Sequence, residues 1–442
     1  MILYDLPPWI VTGYLFVFGA VIGSFLTVCV HRLPQSTSMW DGLKGLSDPP
    51  STCPKCGRRI PLRDNIPIIG WLLLRGRCSN CKLKISPRYP LIELANGLLW
   101  VALYWMEVPE GRSSDLIDAS LVTPYGPVDG EHPFLSDEWL VHLRYLYHLM
   151  LIELLLVAAW IDAGTKTIPK IVTDPFIVVG ILASAIGGLY LLPLVVRPLG
   201  FAEDMAFAAR ALTGQSLPAS LANWYAGPPS PAWRFGLFGS SLHGVAVSVC
   251  GAIAGAVPIL FMRIVGRAIY DREAMGAGDV YLMALVGAFL GWQAALATIV
   301  LASLIAAVSF AAILLTSSRA EVPFGPYLAA GAIGSIFGWP WLEDRIISFS
   351  AIGPLLLPML ALLAVLFVAL AWAMRVLLHP LLCRIPGYAA DWYGETSAGD
   401  WTAADQNQFF TATRIDEAPL GSEAWAGDLA SSGRAGESNW TD

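Results

Sequence analysis

Charge is the scarcest ingredient of this chain. Asp, Glu, Lys and Arg make up 14% of its 442 residues, against 56% hydrophobic residues. A soluble domain carries about 25% charged residues, so the composition excludes an ordinary soluble fold. Histidine is also scarce, with six in all. None stands in a His-Glu-x-x-His pattern, which removes the ligand set of an intramembrane zinc protease. No glycine-rich nucleotide loop is present, and no internal repeat is visible, which weighs against repeat-built transporters. Basic residues concentrate in a loop beside the membrane, where topology explains them first, so no nucleic-acid partner is expected.

What the chain does have is long apolar runs. Several approach or exceed the roughly 18–20 residues that cross a bilayer as a helix. Such runs are too long for barrel strands, and a helix satisfies its own backbone in lipid. The expected fold class is all-α, a polytopic membrane helix bundle of about nine transmembrane helices with a small cytoplasmic four-cysteine zinc-binding loop. The runs cover residues 9–30, 90–106, 143–161, 171–196, 242–262, 280–292 and 294–315, then one reaching Trp339-Pro340 and one over 352–378. The first lacks a basic leader and a small-residue cleavage site, so it reads as a retained helix, not a removed signal. The run 280–292 is short for a full crossing and is expected to be tilted or partly sunk in the bundle.

Charge orients these helices. The loop 31–90 is rich in Lys and Arg, which places it in the cytoplasm and the N-terminus outside. Residues 107–141 are acidic and 197–237 are rich in Ala, Pro and Gly; both are expected outside. Arg263, Arg267 and Arg272 return the chain to the cytoplasm, and Arg375, His379 and Arg384 leave the C-terminus there. The acidic, Ser/Gly/Ala-rich tail 379–442 reads as disordered.

Within that frame two acids stand out. Asp279 follows Gly276-Ala277-Gly278 and is the one charge in the run 275–292; Asp162 ends the third run, ahead of Ile168-Pro169. Both fall at the cytoplasmic face. An acid at the end of a membrane helix is costly unless it is paired or used. Two carboxyls sharing a site can divide into an acid and a base that activates water. Gly276 and Gly278 would let an extended substrate backbone approach, and Ile168-Pro169 would fix the exit of the Asp162 loop. From position alone, a helix cap or an interfacial charge explains each aspartate equally well. Ser240, Ser241 and His243 lie at the opposite membrane face and on one turn, which is not a triad geometry.

Cys53-Pro54-Lys55-Cys56 and Cys78-Ser79-Asn80-Cys81 form two knuckles. Four thiolates would close a tetrahedral Zn²⁺ site with no open position, so the metal's role would be to fold the loop. A disulfide framework is disfavoured in the cytoplasm. Cys29, Cys250 and Cys383 read as small core residues.

Taken together, these stretches resemble the type IV prepilin peptidase family, the bacterial leader peptidase/N-methyltransferases. The likeness begins at Gly19-Ala20-Val21-Ile22-Gly23-Ser24-Phe25-Leu26 and His31-Arg32-Leu33-Pro34. It continues through Asp64-Asn65-Ile66-Pro67 between the cysteine pairs and Ser86-Pro87-Arg88-Tyr89-Pro90 after them. The two aspartate motifs and Pro323-Phe324-Gly325-Pro326-Tyr327 follow in the family's order. The resemblance implies Asp162 and Asp279 as catalytic residues and cleavage of the basic leader of type IV prepilins or type II secretion pseudopilins. It also implies N-methylation from S-adenosylmethionine and residence, amid membrane lipid, in the bacterial inner membrane. The organisation is then a first helix (1–30), the zinc loop (31–90), an aspartic protease core (91–378, with insertions 107–141 and 197–237) and the tail (379–442). Lys170 and Tyr281 depart from the family's pattern, and Lys170 could alter substrate choice or the charge state of Asp162. Two other readings compete: a transporter relaying protons between the aspartates, and a pilin-binding assembly protein that does not cut.

Overall fold

Backbone that must satisfy itself in lipid becomes helix, and helix dominates this computed structural model. It describes residues 7–35, 39–47, 51–53, 56–108, 137–186, 189–191, 236–270, 275–316, 323–350 and 356–378, with a few positions between 206 and 216. The insertions therefore lie largely, and the tail wholly, outside the described residues. The helices are α1 (Pro8–Arg32), α2 (Met39–Ser47), α3 (Ile69–Leu73), α4 (Arg88–Glu107), α5 (Asp137–Thr165) and α6 (Lys170–Ser184). They continue with α7 (Gly236–Tyr270), α8 (Ala277–Leu290), α9 (Trp292–Thr316), α10 (Gly325–Phe337), α11 (Trp339–Ser350) and α12 (Leu356–Ala373). Among the described residues there is no strand, only two isolated bridges.

Each expected run has a helix, with two corrections. The fourth was expected to reach Val196 but ends at Ser184. There Ala185 and Ile186 bond back three residues to Leu182 and Ala183, tightening the last turn. The sequence Gly187-Gly188 that follows is a poor helix former. Trp339-Pro340, expected to close a helix, instead opens α11, because proline is tolerated in a first turn. Among the described residues, five stretches are long and apolar enough to cross a membrane: Pro8–Arg32, His142–Thr165, Ser241–Ile269, Trp292–Phe310 and Pro358–Leu377. Ala277–Leu290 and Gly325–Phe337 are shorter apolar helices. The chain is thus a multi-pass helical membrane protein.

The helices belong to two compact units, one of Met1–Glu110 with Glu153–Val172, the other of Gly111–Ile152 with Thr173–Glu395. In the first, α1 and α4 meet through glycines. A Cβ on Gly97 would lie 2.8 Å from the Phe16 carbonyl, and one on Gly23 would lie 2.9 Å from Asn96 Cβ. Such close backbone approach replaces the hydrophobic drive that is missing between helices in lipid. A polar clasp crosses this core. Asn96 Nδ2 donates to the Gly19 carbonyl at 2.9 Å and to Glu153 Oε1 at 3.0 Å, and the Trp100 indole donates to the same oxygen.

In the second unit α8 packs on α7 at glycine contacts. A Cβ on Gly251 would strike the Gly287 carbonyl, and one on Gly287 the Gly251 carbonyl. The last carbonyls of a helix lack intrahelical partners, and α8 finds them elsewhere. Gly291 N–H donates to Gly287 O at 2.9 Å. The hydroxyls of Ser248 and Tyr147 donate to Ala288 O at 2.6 and 3.2 Å. The Tyr147 ring stacks on Phe289 with centroids 4.4 Å apart. Tyr147→Phe should keep the stacking and lose the hydroxyl bonds to Gly180 O and Ala288 O. The expected cost is about 1 kcal/mol, seen as a lower melting temperature in detergent. No change in melting would mean the hydroxyl has little part in holding α8.

Candidate active site and metal centre

The four knuckle cysteines come together in the first unit. Their sulfurs all lie within 4.8 Å of one another, and Cys53 Sγ is 3.7 Å from Cys81 Sγ. Zn–S bonds of about 2.3 Å in a tetrahedron put sulfurs about 3.8 Å apart, so the cradle fits such an ion. The two knuckles share one backbone plan. Gly57 N–H bonds to Cys53 O and Lys82 N–H to Cys78 O, at 2.8 and 3.1 Å. Cys53 N–H bonds to Arg58 O and Cys78 N–H to Leu83 O, at 2.9 and 2.8 Å. Both turns need a left-handed residue just after the second cysteine. Gly57 fills it at φ 66° without side-chain cost, and Lys82 fills it at φ 60°.

These turns also favour thiolates. The Asn80 side chain, then the Arg58 backbone, lowers the Cys56 thiol to about 6. At Cys78 burial opposes ionisation, but hydrogen bonds from the backbone of Cys81 and Asn80 outweigh it and the thiol is lowered. Thiolate is the form that binds metal.

Asp162 belongs to the first unit. It sits in the last turn of α5, not in a loop, and is 6% exposed. The helix closes when Lys166, at φ 53°, donates its N–H to Asp162 O at 2.8 Å. The Thr165 hydroxyl caps Ile161 O at 2.9 Å and meets Thr167 Oγ1 at 2.9 Å. Ile168 is buried, and Pro169 leads directly into α6. Four residues, 166–169, thus separate the end of α5 from the start of α6.

Asp279 belongs to the second unit and is also 6% exposed. It is the third residue of α8, and its Oδ2 accepts the Gly276 N–H at 3.2 Å. That is half of a capping box, since Gly276 has no side chain to return the bond. A Cβ on Gly276 would meet nothing nearer than Asp279 Oδ2 at 3.7 Å, so the fold does not itself demand glycine there. Gly278 lies in the first turn of α8, next to the acid.

Relatives now bear on this arrangement. The Bacterial Peptidase A24 N-terminal domain model matches residues 17–107, and the Type IV leader peptidase family model matches 230–311. A prepilin leader peptidase/N-methyltransferase of Klebsiella pneumoniae is 31% identical over 296 residues, 67% of this chain and 92% of that protein. The chain belongs to the type IV prepilin peptidase family. Membership makes it an enzyme of the peptidase class. A namesake from Aeromonas salmonicida (strain A449) is 28% identical over 353 residues, 75% of this chain and 92% of its own. Another, from Myxococcus xanthus, is 30% identical over 307 residues, 70% of this chain and 64% of its own. No solved structure matches the chain. The N-terminal match contains the four cysteines, the second contains Asp279, and Asp162 falls between them.

Sequence reasoning passed over Glu153, Asn96 and Tyr147. Glu153 had a legible signal, an acid in the middle of an apolar run, which is a functional suspect by default. Its hydrogen bonds to Asn96 and Trp100 give it a structural task. Tyr147 had no such signal, because a tyrosine in a membrane helix is unremarkable until its hydroxyl is seen on a neighbour's carbonyl.

Proposed function

We propose that this chain cleaves the leader of type IV prepilins or type II secretion pseudopilins at the cytoplasmic face of the bacterial inner membrane. Catalysis is aspartic, through Asp162 and Asp279. The observation that carries it is the burial of both acids, 6% exposed each, at helix ends in a chain of this family. The mechanism needs one carboxyl ionised and one protonated at the start. The ionised one takes a proton from water as the oxygen attacks the scissile carbonyl. The other gives its proton to the leaving nitrogen as the C–N bond breaks. Gly276 and Gly278 leave room for the substrate backbone, while Ile168 and Pro169 hold the Asp162 turn.

N-methylation of the new N-terminus, with S-adenosylmethionine as donor, is the second activity, supported by the relatives' names. The bundle has about nine spans, N-terminus outside and C-terminus in the cytoplasm, supported by the charge of the loops. Its parts are the helix 1–30, the loop 31–90, the core 91–378 with outer segments 107–141 and 197–237, and the tail 379–442.

Cys53, Cys56, Cys78 and Cys81 hold a structural Zn²⁺. Purified protein should carry about one zinc per chain by elemental analysis. Cys53→Ser with Cys78→Ser should carry none and should become protease-sensitive within 31–90, because the metal's binding energy is folding energy for a loop this polar. A metal-free wild-type protein with a protease-resistant loop rules the metal out.

The activity is tested by co-expressing a prepilin with the wild type, Asp162→Asn or Asp279→Asn. Mature pilin should form with the wild type alone. Equal processing in all three would remove the aspartic assignment. Precursor that persists with wild type, while a relative matures it, would favour binding without cleavage.

A further inference from the structure

Between the two cysteine knuckles lies a segment that is apolar on the wrong side. In residues 62–73, the 3₁₀ turn Leu62–Asn65 and helix α3, five large side chains face outward: Leu62, Ile66, Ile69, Leu72 and Leu73. Leu62 is 87% and Leu73 is 73% exposed. What faces inward is different. Gly70 presses against the Asp64 carbonyl, and Trp71 lies under Gly76 and donates its indole N–H to Ile85 O at 3.0 Å. Exposed apolar side chains at this density mark an interaction surface.

The segment is held at one place. Ile69 N–H reaches Pro67 O at 2.5 Å, a γ-turn with Ile68 at φ 62° and ψ −55°. A β-branched residue is strained there and persists only if its surroundings hold it. The holder is Glu93 of α4, whose Oε2 accepts the Ile68 N–H at 2.6 Å and which also bonds Ser24 of α1. Glu93 is five residues into α4, about 7.5 Å along its axis. The turn is therefore tied to the second turn of α4, close to the cytoplasmic end that the basic loop assigns to that helix. Helix α2, earlier in the same loop, repeats the pattern. Trp40 and Leu43 are exposed, and Arg32 at the end of α1 ties α2 down by donating to Gly45 O at 2.8 Å.

Charge chooses the occupant. The stretch 31–90 carries eleven Lys and Arg against three Asp. A basic leader peptide or a second copy of the same loop would be repelled, whereas anionic headgroups would be attracted. We propose that residues 62–73 form an interfacial element seated in the anionic cytoplasmic leaflet, with the five apolar side chains among the acyl chains. Arg63 and Arg75, exposed at either end of it, meet the lipid phosphates. The inference rests on the membrane reading and is independent of the catalytic one.

The test uses the full chain in nanodiscs, with a benzophenone amino acid at Leu72 or Leu73 and, as a control, at Arg59 in the first knuckle. Irradiation followed by mass spectrometry reads what each position touches. In phosphatidylglycerol discs, lipid adducts should dominate at 72 and 73 and be rare at 59. Yields at 72 and 73 should fall about thirtyfold in phosphatidylcholine discs, the effect of losing about 1 kcal/mol of attraction at each of Arg63 and Arg75. Protein adducts, to a second copy or to an added prepilin, would overturn the proposal. So would yields at 72 and 73 no greater than at 59, or equal in the two lipids.

Discussion

Purified Asp162→Asn and Asp279→Asn proteins should cleave a prepilin about 10²–10⁴-fold more slowly than the wild type. The double variant should be no slower than the worse single variant. Groups acting as one unit lose their function together, so their penalties do not multiply. The loss should fall on kcat with KM little changed, because neither substitution alters the bulk that the substrate meets. The competing interpretation of each acid is a helix cap, and Asn tests it cleanly. Its amide oxygen can accept the Gly276 N–H as Asp279 Oδ2 does, and Asn caps helices about as well as Asp. Melting temperature should therefore stay near that of the wild type while cleavage collapses. Full activity in either single variant would remove that residue from the chemistry.

Gly251→Val and Gly287→Val should each destabilise the protein by about 1–3 kcal/mol or more, with activity falling further than stability alone explains. A Cβ at either position would enter the facing helix's carbonyl. This clash is with backbone, which cannot rotate aside as a side chain can. Relief requires α7 and α8 to separate, and α8 carries Asp279 in its first turn. Misplacing a catalytic group by about 1 Å can cost 10²-fold in rate. Residual cleavage measured well below the melting transition, on protein still folded by circular dichroism, separates the two effects. Gly13, where a Cβ would meet nothing within 4 Å, is the control: Gly13→Val should leave cleavage unchanged. Wild-type stability and activity in Gly251→Val would mean that α7 and α8 are not locked at these glycines.

Much of this architecture is legible from residue types. Apolar runs predict the helices because lipid leaves a backbone no other partner. The two Cys-x-x-Cys pairs predict the cradle because the spacing sets the turn. Where the reading failed, local signals competed. Trp339-Pro340 serves as a start as readily as a stop, since proline fits both. The run to Val196 is apolar apart from Thr173, Asp174 and Ser184, and hydropathy does not register the tightening of the last turn at Ala185 and Ile186.

The chain's own order of residues determined that it crosses a membrane, which loops are basic, where four thiols cluster and which two acids stand at helix ends. These follow from solvation and short-range spacing, which a linear string contains. Only the tertiary structure decided which glycines bring helices together, that Tyr147 and Ser248 cap α8, and that Glu93 pins a strained Ile68 beside α4. Each depends on partners far apart in the chain, and a side chain's partner across a helix interface is set by packing geometry that composition does not encode.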